Sequence, residues 1–242
     1  MTSPRRNAAG CSRRATPAVF LESYNRAFER GCTHLIGVLI NGSGSGTYQA
    51  ACLAKGMFEE EHGEGAMVIE VFDSRTYTYI YGHIVVKAAE MREQGESFEA
   101  ITSVIRSRLS RVEAYLGVYT LKYLKKSGRI SGGAAFVGEA LGLKPISHVY
   151  DGAVKVCDKV RGEKALVAGI CKKVVARVQQ PEKQTGILLY GDVPEERLAE
   201  VEKRMREEIG FKDVVRCAIG PSVLSNTGPL AIAVAYYGAP RE

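Results

Sequence analysis

The stretch Asn41-Gly42-Ser43-Gly44-Ser45-Gly46-Thr47-Tyr48 gathers glycines and hydroxyls at one place. Before it, residues 35–40 form an apolar, β-branched run short enough for a buried strand; after it, residues 48–61 read as a helix. A glycine-rich bend between strand and helix points successive backbone N–H groups, two Ser hydroxyls and one Thr hydroxyl at a single spot. The first N–H groups of a helix lack partners and its dipole is positive there, so the spot suits an anion, either phosphate or carboxylate. No Lys follows the last Gly, which excludes a P-loop, and the spacing is not G-x-G-x-x-G. The same composition also serves as a plain turn with no ligand.

Other residues invite chemistry less strongly. Tyr77, Tyr79 and Tyr81 alternate after a second strand, where apolar rings with polar tips suit a pocket wall or the cover of a helix end. Phe136 is a further pocket candidate, with core packing as its competing role. Asp73, His83 and His148 read as structural, and no nucleophile–base set stands out. Glu59-Glu60-Glu61 reads as a solvated face. The six cysteines contain no C-x-x-C pair and no zinc-finger partner His, so a reducing cytoplasm is the simplest compartment.

These residues need a frame to hold them. Thr16-Pro17 opens a helix that Gly31 ends. Residues 67–72 and 114–118 read as strands, with helices over 83–94 and 98–111 between them. This βαβαβ rhythm predicts a parallel sheet covered by helices, with loops 41–46 and 73–82 at the carboxyl ends of its strands, where such sheets bind ligands. After Tyr119 the pattern changes. A short basic helix covers 121–126, and a small-residue helix follows over 132–141. A hairpin turns at Asp151-Gly152, and a long helix spans 162–179. A strand at 186–190, a charged helix over 194–209, a strand at 214–219, a loop between two Gly-Pro pairs and a strand at 231–237 complete the chain. The expected organisation is a basic disordered tail over 1–15, an α/β domain over 16–119 and a second, mixed-sheet α/β domain over 120–242.

Composition bounds the function. Of 242 residues, 45% are apolar and 25% charged, as in a soluble globular protein with a proper core. The net charge of +6 is concentrated in Arg5, Arg6, Arg13 and Arg14; without those four the remainder carries +2. The body is therefore nearly balanced, with no nucleic-acid motif, and no apolar run reaches the length of a membrane span.

The run Gly44-Ser45-Gly46-Thr47-Tyr48-Gln49-Ala50-Ala51 resembles the S-G-T-Y turn of DegV proteins. The likeness extends to Asp73-Ser74, Leu124-Lys125-Lys126-Ser127-Gly128-Arg129-Ile130-Ser131 and Lys144-Pro145-Ile146. Asp151-Gly152, Lys159-Val160-Arg161-Gly162 with Lys164-Ala165, and Gly228-Pro229 continue it in the family's order. The resemblance implies a two-domain bacterial-type fold that buries a long-chain fatty acid between the domains, with no metal and no other cofactor. It implies a lipid carrier, or a non-catalytic subunit that presents its acyl group to an ATP-dependent fatty acid kinase. The alternative is an enzyme acting on a small phosphorylated or carboxylated metabolite at loop 41–46.

Carried over residue by residue, the resemblance puts Ser12, Gly42 and Asn226 at the fatty-acid carboxylate, with Ser43 as a substitute one position on, and Arg129 and Arg161 at the mouth or against a partner; the hydroxyls of the turn add Ser45 and Thr47 to the carboxylate set. The departures fall on the head-group site. Ser12-Arg13-Arg14 stands where the family has T-S-Q, Gly42 where it has a carboxylate-binding Ser, and Asn226 where it has a His. The family's opening strand and helix have no counterpart, which reads as an N-terminal truncation or alteration expected to weaken acyl binding.

Overall fold

The computed structural model describes residues 15–129 and 143–241, which form two units. The first comprises residues 15–112 with Tyr150–Gly152 and 240–241. Its elements are α1 (Pro17–Glu29), β1 (His34–Leu39), α2 (Thr47–His62), β2 (Val68–Asp73), α3 (Tyr79–Glu93) and α4 (Phe98–Leu109). β1 and β2 pair in parallel, Leu35 opposite Ile69 and Val38 opposite Phe72.

Side chains of a strand alternate between faces, and that alternation builds three layers here. Leu35, Ile69 and Val71 join Tyr24 of α1 and Ala54 and Phe58 of α2 in one core. Ile36, Val38 and Phe72 face the other way and join Ile84 of α3 and Ile101, Ile105 and Leu109 of α4. Phe58 is fully buried, with the Phe28 ring edge-on at 5.6 Å. Pro17 at the first position of α1 supplies a fixed φ where no N–H partner is needed, although the Thr16 side chain makes no cap bond. At α4 the cap is made: Ser97 Oγ accepts from Ala100 N.

The second unit holds β3 (Val112–Val118, of which Val112 counts with the first unit), α5 (Lys122–Ser127), β4 (Leu143–Tyr150), β5 (Ala153–Arg161) and α6 (Glu163–Val175). β6 (Thr185–Tyr190), α7 (Glu195–Arg204), β7 (Asp213–Ala218), α8 (Pro221–Thr227) and β8 (Ala231–Tyr237) follow. Its six-stranded sheet runs β5-β4-β3-β8-β6-β7. β6 pairs in parallel with β7 and antiparallel with β8, and β3 pairs antiparallel with β4, so the sheet is mixed. Leu166, Ile170 and Val174 of α6 and Leu198 and Val201 of α7 close one core over it with Leu188, Ile232 and Val234.

Several expectations change. β3 does not extend a parallel β1-β2 sheet; it lies between β4 and β8, and the change of unit falls at Val112/Glu113 rather than at 119. Every residue of β3 is buried, as suits a central strand of a wide sheet, and a local βαβ rhythm does not specify the hydrogen-bonded neighbour. α3 starts at Tyr79, so Tyr79 and Tyr81 lie inside a helix and not in the strand-exit loop. The segment between the Gly-Pro pairs is the helix α8, opened by Pro221. The charged helix expected over 194–209 is α7 followed by a π-helical turn, Met205–Ile209, capped by left-handed Gly210. The tail 1–14 and the helix expected over 132–141 lie outside the described residues.

One polar cluster is buried in the second unit. Glu113, with its side chain 1% exposed, accepts from Arg177 Nε at 2.8 Å and Nη2 at 3.1 Å and from Tyr236 OH at 3.1 Å, and His148 Nε2 lies 2.7 Å away. Burial by itself pushes this carboxyl up, but the hydrogen bonds from His148 and Arg177 prevail and hold it at about 2.

Candidate functional site

Loop 41–46 leaves the carboxyl end of β1 and enters α2. Its fixed point is Asn41, 1% exposed. The Asn41 N–H donates to Thr76 O at 2.9 Å, and its carbonyl accepts from Gly44 N and Ser45 N at 3.1 and 3.0 Å. Its side chain donates to Tyr77 OH at 2.6 Å and to Gly152 O at 2.8 Å, and accepts from Ser43 N at 3.2 Å and Ser43 Oγ at 3.0 Å. A carboxamide can both donate and accept, so one buried side chain ties the loop to two other segments.

Asp73, the last residue of β2, completes the frame. Its Oδ1 accepts from Gly42 N and Arg75 N, each at 2.9 Å. Gln49 Nε2 returns from α2 to Gly42 O at 3.1 Å. Gly44 is required by close approach: a Cβ there would lie 2.4 Å from the Tyr77 hydroxyl. Thr78, just before α3, has φ 60 and ψ −149, a costly conformation for a β-branched residue, and its buried Oγ1 has no hydrogen-bond partner.

This bonding divides the loop in two. The N–H groups of residues 42–45 are spent on Asp73 and Asn41, so Gly42 and Ser43 face acceptors already in place. The Ser43 hydroxyl is also engaged, with Asn41 Oδ1 and with Gly152 O at 3.2 Å. The other half is the start of α2, with Gly46 at the N-cap and no side-chain cap. There Ser45 Oγ and Thr47 Oγ1 lie 2.8 Å apart, both half-buried. A hydroxyl pair shares one proton internally and keeps another for a ligand. Beside it stand the first-turn N–H groups of a 16-residue helix, which have no intrahelical acceptor. The arrangement suits one oxyanion.

Among the predicted residues, Gly42, Ser43, Ser45, Thr47 and Tyr77 meet at this loop. Tyr79 does not share that network; its ring lies 6.1 Å from the His83 ring and covers Gly82. Burial, with Arg108 adding to it, lowers the His83 pKa. Ser12 and Phe136 lie outside the described residues. Asn226, Arg129 and Arg161 belong to the second unit. Asn226 sits on α8, where its amide donates to Ser222 O at 2.7 Å. Arg129 follows the left-handed cap Gly128 and turns back onto Ser127 O, and Arg161 is the exposed last residue of β5. Asn41, Asp73 and Gly152 are the parts missing from the sequence-based site. The available signals were Asn at a strand exit before Gly, where its side chain bonds nearby backbone, and the Asp73-Ser74 and Asp151-Gly152 pairs, whose meeting with the loop no local pattern gives.

Among the described residues no cluster of His, Cys, Asp and Glu can hold a metal ion, and no helix is long and apolar enough to cross a membrane.

A family model, "Uncharacterised protein, DegV family", matches residues 5–239. The chain belongs to the DegV family. A DegV domain-containing protein of Caldanaerobacter subterraneus subsp. tengcongensis is 32% identical over 221 residues, 91% of this chain and 76% of the relative. A DegV family protein from Thermus thermophilus, solved with reference to its fatty acid binding, is 27% identical, covers 93% of this chain and 78% of its own, and has a TM-score of 0.82. One from Ruminococcus gnavus ATCC 29149, refined with vaccenic acid, is 25% identical over 92% of this chain and 77% of its own, with a TM-score of 0.81. The mixed α/β architecture of this chain is thus the DegV fold.

Proposed function

We propose that this chain binds a long-chain fatty acid whose carboxylate sits at the head of α2. It acts as a carrier, or presents the acyl group to an ATP-dependent fatty acid kinase, without catalysis of its own. The observation that carries the reading is the Ser45–Thr47 hydroxyl pair, 2.8 Å apart beside the first-turn N–H groups of α2. A carboxylate taken out of water needs several donors, and a helix N-terminus with hydroxyls supplies them without bulk. Ser45 and Thr47 grip the acid, while Gly42 and Ser43 shape the loop, their N–H groups being occupied by Asp73 and Asn41. Tyr77 borders the head group, its hydroxyl receiving Asn41 Nδ2. The acyl tail contributes about 0.8 kcal/mol per methylene buried, so affinity rises with chain length.

Membership of the DegV family supports this reading, as do the fatty acids named for the Thermus and Ruminococcus proteins. The test is organic extraction of the purified protein followed by mass spectrometry, with titration of the delipidated protein by oleic acid. A stoichiometric long-chain acid in the extract is expected. A protein that carries no lipid and does not take up added oleic acid would refute the assignment.

A further inference from the structure

The turn Asp151–Gly152 counts with the first unit, and it lies against loop 41–46. Gly152 N donates to Arg75 O at 2.9 Å. Gly152 O in return receives Asn41 Nδ2 at 2.8 Å and Ser43 Oγ at 3.2 Å. The head-group loop is therefore set by where this turn stands. Both of its residues have positive φ, 48 for Asp151 and 75 for Gly152. Positive φ at both positions is what an Asp-Gly hairpin turn favours.

Two arginines hold Asp151. Arg75 Nη1 donates to Asp151 Oδ1 at 2.7 Å, but both partners are well exposed, at 57% and 45%. Water and salt weaken such a pair. The second arginine is Arg241, next to the end of the chain. Its side chain is only 10% exposed. Nη1 lies 3.3 Å from Asp151 Oδ1, Nη2 donates to Val112 O at 2.8 Å, and its backbone N–H donates to Ser110 O at 2.8 Å. The guanidinium carbon lies 5.3 Å from the centre of the Tyr150 ring. Arg241 thus spans the α4–β3 junction and the turn that supports the loop. A planar fork with several donors can do this, whereas a lysine ammonium cannot meet the same set at once.

We propose that Arg241 is a positioning residue for the anion-binding loop: it fixes Asp151–Gly152, and through Gly152 O it fixes Asn41 and Ser43. The consequence for ligand affinity rests on the fatty-acid reading above; the effect on the loop does not.

The experiment compares the full chain with Arg241→Ala and Asp151→Asn. The Asn variant keeps the turn, because Asn-Gly suits the same conformation, and removes only the charge that the arginines meet. Hydrogen exchange is measured over residues 39–47, with α4 as the internal control, and binding is measured by titration with oleic acid. Both variants should speed exchange over 39–47 selectively, leave α4 protected, and weaken oleic acid binding by roughly tenfold, the change that accompanies loss of one charge-assisted hydrogen bond. The inference is overturned if exchange over 39–47 is unchanged in Arg241→Ala, whatever Asp151→Asn does through its pair with Arg75, or if α4 loosens equally, which marks a general loss of stability. It is also overturned if the loop loosens while oleic acid affinity stays within twofold of the parent. If the parent chain binds no oleic acid, the fatty-acid reading falls, and the exchange arm alone decides the role of Arg241.

Discussion

Replacing Asn41 tests the site most directly. Its carboxamide makes four hydrogen bonds, to Tyr77 OH, Gly152 O, Ser43 N and Ser43 Oγ, and the residue is 1% exposed. Asn41→Ala removes all four. At about 1 kcal/mol net per neutral bond, and a further 1–3 kcal/mol for a group left buried and bare, the loss is about 5–7 kcal/mol. Asn41→Asp separates shape from hydrogen bonding. It keeps an acceptor for Ser43 but puts a carboxylate oxygen where an N–H2 met Gly152 O at 2.8 Å. Two acceptors then face each other in a buried site, so the isosteric Asp costs at least as much as Ala. Urea unfolding of the three proteins, followed by circular dichroism, reads these values. Oleic acid titration reads the effect on the site, where both variants should lose most binding. If both variants unfold within about 1 kcal/mol of the parent, the bonding network around Asn41 does not organise the loop.

Three further outcomes follow from the same geometry. Ser45→Ala with Thr47→Ala should weaken fatty acid binding at least tenfold, measured by titration, while stability changes by less than about 1 kcal/mol, since the pair is half-buried and bonds mainly to itself. Glu113 has a folded pKa of about 2 against an ordinary 4.5, so its contribution is present above pH 4.5 and is lost as pH falls toward 2. That loss is about 3 kcal/mol, and urea titrations between pH 6 and pH 2 should show it as a slope that Glu113→Gln flattens. Phe58→Ala empties the centre of the α1–α2 core, where the ring is fully buried, and should cost about 3–5 kcal/mol in the same unfolding assay.

Much of this protein could be read without coordinates wherever the signal was local. The apolar run before the glycines, the helix after them and the Asp151-Gly152 hairpin each rest on neighbours a few residues apart, and β1, α2 and the β4–β5 turn appear where those patterns put them. The meeting of a helix start and hydroxyls at loop 41–46 was likewise legible, because both are written in consecutive residues. Tertiary structure decided the rest. β3 carries the same apolar signature whichever sheet it joins, and only the packed fold places it between β4 and β8. Asn41 meets Tyr77 and Gly152 across 36 and 111 residues of chain, and Asp151 meets Arg241 across 90. A side chain's hydrogen-bond partner at that distance depends on the path of the whole backbone, which no local pattern encodes. Residue types thus brought a helix start and hydroxyls together at loop 41–46, while long-range contacts decided which of the loop's donors are already spent.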